Sequence, residues 1–194
     1  MKLDIILAGV GGQGILSVAA IIGEACMNEG LMIKQAEVHG MSQRGGDVQS
    51  NLRISAKPIF SDLIPKGGAD VIISLEPMEA LRYLPYLNPE TGWIITSSAQ
   101  FVNIATYPSS EDLAQAYSKL ERVISLDVEA LARELKNPRS SNIILLGAAQ
   151  KALGIEYQKI EDAIRRVFGR KGDVVVEANL KALAVGASEA AKLA

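Results

Sequence analysis

A chain of 194 residues, 48% hydrophobic and 22% charged, has the balance of a globular protein long enough for one domain. Its net charge of −2 supplies no global field for nucleic acid or anionic lipid, so neither is expected as a partner. A single cysteine, Cys26, excludes an internal disulfide framework and an iron–sulfur cluster held by this chain alone, and it suits a reducing, cytoplasmic setting.

The opening "MKLDIILAGVGGQG" turns into folded pattern too early for a signal peptide, and no apolar run reaches the length of a membrane span. Leu3–Gly9 is a continuous apolar run ending in glycine, the pattern of a buried strand. From Gly14 to Glu29 the apolar residues Ile15, Val18, Ala19, Ile22 and Cys26 recur at helical spacing, with Gly30 as a C-terminal cap. On that helix Cys26 reads as a small buried hydrophobe. Leu31–Val38 is a second strand, and strand–helix–strand with short joints predicts two parallel neighbours joined by a right-handed crossover.

After a polar, glycine-rich loop, His39–Gly46, the stretch Asp47–Ser55 alternates. Val48, Ser50, Leu52 and Ile54 share one face and Gln49, Asn51 and Arg53 the other, which predicts a half-exposed antiparallel strand. Ala69–Pro77, Gly92–Ser98 and Arg122–Asp127 read as further strands. Between and after them come helices over 78–87, with Pro85 near its end, over Ser110–Leu120 with Ser110 as cap, and over Val128–Lys136 up to Asn137-Pro138. From residue 140 the strands stop, and Ser140–Gly154, Tyr157–Phe168 and Val176–Leu193 all read as helices. The class is therefore α/β: a three-layer, mostly parallel, Rossmann-like sheet with one antiparallel strand and a helical C-terminal third, taken as a single domain over 1–194. "NPRSSN" (137–142) is the best candidate for a boundary, and Arg165-Arg166 and Arg170-Lys171 read as solvated helix faces. The run Ile143–Ala149 is apolar nearly all round, so its helix must be buried by its own chain or by another, and self-association of the isolated chain is expected.

Gly9-Val10-Gly11-Gly12-Gln13-Gly14 has the spacing G-x-G-x-x-G between a strand and a helix. Such a loop permits a tight turn and a close backbone approach, and the first helical turn presents N–H groups to an anion. Glu37 lies near the end of the second strand, about where a ribose-binding carboxylate would stand in a dinucleotide fold. On this pattern alone the chain is a nucleotide-binding module, or a tight turn that meets only protein.

The second loop is more specific. GVGGQG at Gly9–Gly14 and EVHGMSQRGG at Glu37–Gly46, followed in order by "LEPMEALRYL" (Leu75–Leu84), "NIILLGAAQKAL" (Asn142–Leu153) and "NLKALAVG" (Asn179–Gly186), resemble the gamma-type subunit or domain of the 2-oxoacid:ferredoxin oxidoreductases, most of all the small (beta) subunit of the indolepyruvate type. The likeness covers essentially the whole chain. It implies a complex that oxidatively decarboxylates an aryl pyruvate, reduces ferredoxin and forms an acyl-CoA. It also implies a large partner subunit that carries thiamine diphosphate, magnesium and the iron–sulfur clusters, with coenzyme A as co-substrate. The sequence agrees with that division of labour, since it has one cysteine and no convincing Gly-Asp-Gly with a later Asn-Asn for magnesium and the diphosphate. The chain alone is expected to bind no cofactor and to be inert in oxidation.

Candidate site residues follow from the two loops. His39, the only histidine, stands two residues after Glu37, so on a continuous strand the two share a face. The pair could move a proton or orient a carbonyl, or His39 could simply hold the turn or an interface. Arg44, flanked by Gln43, Gly45 and Gly46 and preceded by Gly40, offers a planar fork to a carboxylate or phosphate, or to an opposing subunit. Gln13 and the glycines Gly9, Gly11, Gly12 and Gly14 would meet the same cleft, because loops after parallel neighbouring strands share one edge. Together these form one composite surface facing the coenzyme A path or the partner's active site. Glu76 and Glu79 read as a helix N-terminal pair rather than a catalytic dyad, and Asn142 and Asn179 as caps or loop ties. The alternatives are a stand-alone NAD-binding protein and a purely structural subunit.

Overall fold

The computed structural model describes residues 1–27, 29–39 and 45–193. Its elements are β1 (Lys2–Val10), α1 (Ile15–Met27), β2 (Met32–His39), β3 (Asp47–Ser55), β4 (Val71–Ser74), α2 (Pro77–Arg82), β5 (Trp93–Ser97), α3 (Ser110–Tyr117), β6 (Val123–Leu126), α4 (Val128–Glu134), α5 (Ser141–Leu153), α6 (Tyr157–Phe168) and α7 (Asp173–Ala191). The six strands form one sheet in the order β2-β3-β1-β4-β5-β6. β1, β4, β5 and β6 run parallel, whereas β3 is antiparallel to both of its neighbours.

The strand order corrects one expectation. β1 and β2 point the same way, but they are not neighbours, because β3 lies between them and pairs with each along its length. The loop after β2 is short enough for the chain to fold straight back, and the returning strand takes the slot beside β1. The alternation of β3 is real: Val48, Ser50, Leu52 and Ile54 are buried. Its other face is covered too, by chain rather than by water. Arg53 donates to the carbonyls of Ser61 and Leu63, both at 3.0 Å, and Asn51 Oδ1 accepts from Ile64 N at 3.3 Å.

Alternation along β1 divides the core in two. Leu3, Ile5 and Leu7 join α1 and the helices α4 to α7 in the larger cluster. Ile6 and Ala8 face the other way, against Ile64, Ala80 and Tyr83. Burial pushes the Tyr83 hydroxyl up to about 12. Cys26 sits in the larger cluster, and burial, then the nearby Glu29, raises its thiol, so it behaves as a small apolar side chain.

Local boundaries follow local chemistry. α2 stops at Arg82, and Pro85 then falls inside a separate 3-10 turn over Leu84–Tyr86, where its missing N–H costs nothing. α3 is capped by Ser109 rather than Ser110: the Ser109 side chain accepts from Asp112 N, and Asp112 accepts from Ser109 N in return. α5 is buried from Ser141 through Ala149 by its own chain, chiefly in the core shared with α7 and the sheet. Its apolar girth is therefore used up inside the molecule and supplies no surface for self-association. Among the described residues, no helix is long and apolar enough to cross a membrane.

Candidate functional site

The carboxyl ends of β1, β4 and β5 meet the loops at one edge of the sheet. The glycine loop turns there from β1 into α1. Gly12 and Gly14 have φ of 101° and 83°, backbone that an L side chain rarely adopts. At Gly14 a Cβ would also stand 2.6 Å from Asn142 Nδ2. Asn142 donates to the Gly14 carbonyl at 3.0 Å, so the loop is tied to the start of α5 across 128 residues. Gln13 holds the loop from within. Its Oε1 accepts from Val10 N at 2.7 Å and its Nε2 donates to the Leu75 carbonyl at 3.1 Å. Gly9 leaves the space for that carboxamide, since a Cβ there would approach Gln13 Oε1 to 2.7 Å.

The second loop comes to the same edge. Gly11 N donates to the Gly46 carbonyl at 2.9 Å, and Asn103 Nδ2 donates to the Gly45 carbonyl at 2.7 Å. Gly9, Gly11, Gly12, Gln13, Gly14, Gly45 and Gly46 are thus brought together. Gly40, Gln43 and Arg44 lie outside the described residues, as does the side chain of His39, whose backbone ends β2. Glu37 stands away from β1. It faces Gln35, whose Nε2 donates to Glu37 Oε1 at 2.7 Å and to Ser50 Oγ at 3.0 Å. With β3 between, Glu37 is two strand spacings, roughly 10 Å, from β1. A ribose carboxylate acts from the strand next to the glycine loop, so the dinucleotide reading loses the geometry it needs.

Glu76 and Glu79 prove to be the start of α2, as their spacing suggests. Glu76 caps it, accepting from Glu79 N at 2.9 Å, and Glu79 pairs with Arg82 at 2.8 Å. Burial raises the Glu79 carboxyl, and Arg82 works against that. Glu76 is fully buried, and its other oxygen accepts from Phe101 N at 3.3 Å and from the Tyr107 hydroxyl. Burial, and then this bond, push the Tyr107 hydroxyl well above its usual range, so it stays a donor.

Beside the glycine loop lies a cleft of about 980 Å³. The glycine loop and Leu75 form one wall, the chain from Leu135 to Asn142 a second, and the junction of α6 and α7 a third. Lys136, Arg139 and Lys171 line it against a single carboxylate, Glu129. Ser141 is buried at the first turn of α5, and its Oγ has no hydrogen-bond partner among the described residues. Ser140 provides no side-chain cap there, because its hydroxyl donates back to the Asn137 carbonyl. The start of α5 thus lies in the wall of a cleft whose charged lining is mostly cationic, a lining that suits an anion. Lys136 adopts φ 53° at the end of α4, where Lys136 N bonds Arg133 O and Asn137 N bonds Ala132 O. That is a Schellman turn with lysine where glycine is usual. Among the described residues no group of three or more His, Cys, Asp or Glu is placed to hold a metal.

Reading the sequence alone missed this cleft. "NPRSSN" reads as a boundary, yet serines and an asparagine ahead of an apolar helix mark a helix N-terminus, and Arg139 beside them is the signal of an anion site. Lys171 reads as part of a solvated face, and only the fold of α6 onto α7 carries it to the cleft.

An open, mostly parallel sheet with a glycine loop and a basic cleft at its carboxyl edge defines a Rossmann-like module, and in open sheets of this kind that edge is where ligands bind. Residues 4–189 match the family Pyruvate ferredoxin/flavodoxin oxidoreductase. The chain is 38% identical to the indolepyruvate oxidoreductase subunit IorB of Archaeoglobus fulgidus, over 98% of this chain and 96% of that protein. It is 33% identical to the IorB subunit of Methanothermobacter thermautotrophicus, over 99% and 100% of the two chains. In fold it is similar to the 2-oxoglutarate:ferredoxin oxidoreductase of Magnetococcus marinus, solved with 2-oxoglutarate, coenzyme A and succinyl-CoA bound, at TM-score 0.77 and 24% identity; all of this chain aligns to 32% of that one. It is also similar to the gamma subunit of a keto/oxoacid ferredoxin oxidoreductase of Geobacter sulfurreducens, at TM-score 0.69 and 23% identity over 98% and 99% of the chains. The chain belongs to the pyruvate ferredoxin/flavodoxin oxidoreductase family, and the expected α/β class holds.

Proposed function

We propose that the chain is the small, cluster-free subunit of an indolepyruvate-type 2-oxoacid:ferredoxin oxidoreductase, and that its cleft receives the phosphates of coenzyme A. The full-length likeness to IorB subunits carries the first part. The lining of the cleft by Lys136, Arg139 and Lys171 against the one carboxylate Glu129 carries the second. In this reading thiamine diphosphate and the clusters belong to a large partner, which supplies the electron sink and the relay to ferredoxin. This chain does what its own residues can do. Cations and helix N–H groups fix the anionic end of the coenzyme. The tied glycine loop presents a backbone surface on which the rest of the coenzyme lies toward the partner, and Arg44 adds a contact from the second loop.

The test is a reconstituted complex. The isolated chain should show no indolepyruvate- and CoA-dependent dye reduction, and the complex should. Arg139→Ala combined with Lys171→Ala should raise the KM for CoA about tenfold with kcat little changed, because exposed charge-assisted contacts to phosphate are lost in ground state and transition state alike. An unchanged KM removes the cleft from the CoA path and leaves a structural subunit. Activity of the isolated chain removes the division of labour.

Lys136 allows a separate check. Lys136→Gly relieves a left-handed backbone that costs a non-glycine residue about 1 kcal/mol. The free variant should melt at or above the wild-type temperature while the complex shows a raised KM for CoA. A lowered melting temperature with unchanged KM would mean that the lysine serves the fold alone.

A further inference from the structure

The sheet ends differently at its two sides. β6, at one side, has four residues, and α7 packs against it. β2, at the other, has eight, and among the described residues no strand pairs with its outer side. A long edge strand presents a row of backbone N–H and C=O groups to any strand that can pair with them. Lys34, Gln35 and Glu37 of β2 are exposed, as are Met32 at 48% and Val38 at 52%. Apolar surface frames the strand. Leu16, Ala20 and Met27 are exposed along one stripe of α1, and Gly23, whose Cβ would meet Ile33 of β2 at 4.0 Å, belongs to the same stripe. On the other face of the sheet, Arg53 lies opposite Lys34 and holds the loop that carries exposed Phe60 and Leu63. We infer that β2 is the docking edge for a second copy of this chain, the two β2 strands pairing antiparallel about a two-fold axis into one continuous sheet.

The side chains of β2 suit pairing with a copy of itself in one register. A two-fold axis normal to the sheet leaves every side chain on its own face, so each residue of β2 meets one that points the same way. Few registers satisfy this. An axis at Lys34 or at Glu37 sets like charges directly opposite each other. An axis at Ala36 carries Met32 past the end of the opposite strand, and an axis nearer either end pairs three residues or fewer. An axis at Gln35 pairs residues 32–38 throughout. Met32 then stands opposite Val38 of the second copy, and Val38 opposite Met32, so the two exposed apolar side chains of the strand cover each other twice. Lys34 falls opposite Ala36 and Glu37 opposite Ile33, so no charge directly faces its like. Seven paired residues make a contact about 24 Å long. With α1 on one face and the 56–64 loop on the other, a depth of roughly 20 Å gives about 1,000 Å² in all, where specific interfaces begin.

The full chain provides the test, with no need of the larger complex. In sedimentation at high concentration it should be a dimer. Across the axis the two Gln35 Cα atoms stand about 4.5–5.5 Å apart, within the roughly 4.4–6.8 Å that a disulfide spans. Gln35→Cys should therefore form an intermolecular disulfide on mild oxidation, while the single native thiol, Cys26, is buried and takes no part. Glu37→Cys, about 13 Å from its copy in this register, should form none. Val38→Lys should weaken the dimer about tenfold or more, because the axis repeats the lost apolar pair. Val38 is about half exposed, so this variant should keep the circular dichroism of the wild type. A wild-type chain that stays monomeric, with no disulfide through Gln35→Cys, overturns the inference. If Val38→Lys then also blocks assembly with a large subunit, the edge belongs to that partner and not to a second copy. A disulfide through Ala36→Cys in place of Gln35→Cys overturns the register, and a dimer that Val38→Lys leaves unchanged forms through some other surface.

Discussion

Gly186→Ala is expected to destabilise the chain by about 3 kcal/mol or more, at the upper end of what overpacking a close contact costs. A Cβ at Gly186 would fall onto the Ile144 carbonyl oxygen, and one at Gly147 onto the Leu183 carbonyl oxygen. α5 and α7 therefore touch backbone to backbone, each glycine seated against the other helix. In both cases the atom struck is main chain inside a regular helix, so no side chain can swing aside and the helices must separate. Separation opens the core around Ile144, Leu145 and Leu183, all fully buried. At about 2–4 °C per kcal/mol for a chain of this size, the melting temperature should fall by roughly 6–12 °C, and Gly147→Ala should behave alike. Gly169→Ala is the control. Gly169 has right-handed helical backbone with nothing near its would-be Cβ, so the variant should melt at or slightly above the wild type. A Gly186→Ala protein melting within about 2 °C of wild type would show that the helix pair yields more easily than close-packed helices do.

The sequence announces what depends on neighbours along the chain and conceals what depends on neighbours across it. Strands β1, β4, β5 and β6 and all the long helices are legible, because buried parallel strands are continuous apolar runs and helices repeat at their own period. The insertion of β3 between β1 and β2 is not. The strand–helix–strand pattern is the same whether the second strand docks beside the first or one place further out, and only the pairing of β3 with both decides it. The glycine pair in α5 and α7 is hidden for a like reason. Gly147 and Gly186 look like weak points in two apolar helices until the helices are seen to cross there.

The site divides in the same way. The glycine loop and the exit of the second loop are motifs and are read directly. The motif places Gln13 at the cleft. It lines the cleft, but its carboxamide is committed to Val10 and Leu75, a contact no linear pattern reports. The basic cleft joins Gly14 to Asn142 and brings in Lys171, residues far apart in the chain. The segment 99–108 beside Glu76 is irregular backbone whose place appears only in what it ties together. Glu37 does stand near the end of β2, as the pattern indicates, but a ribose contact needs that strand beside β1, and the interposed β3 prevents it.

Arg53→Ala is expected to cost about 3 kcal/mol at neutral pH, the low end for breaking a buried ion pair by removing one partner. Asp4 is 2% exposed on β1 and takes Arg53 Nε at 2.7 Å and Nη2 at 3.1 Å from the paired position on β3. Lys2 also reaches it, at 2.9 Å, but from a largely exposed side chain, which compensates only part of the loss. Burial by itself pushes the Asp4 carboxyl up. The bonds and charges of Arg53 and Lys2 outweigh it and hold the carboxyl below its ordinary value. A depressed carboxyl stabilises the fold above its unfolded value, about 3.9, and loses that contribution as pH falls through the folded value. The wild type therefore sheds this stability on acidification, while the variant has little of it to shed. The stability gap between them, measured by urea unfolding, should be full above about pH 5 and should narrow as the pH falls below about 4. Arg53 also holds the carbonyls of Ser61 and Leu63, which do not titrate. A gap that stays constant as far down as both proteins remain folded would assign the loss to that loop, and Asp4 would then be no more than a bystander to Arg53.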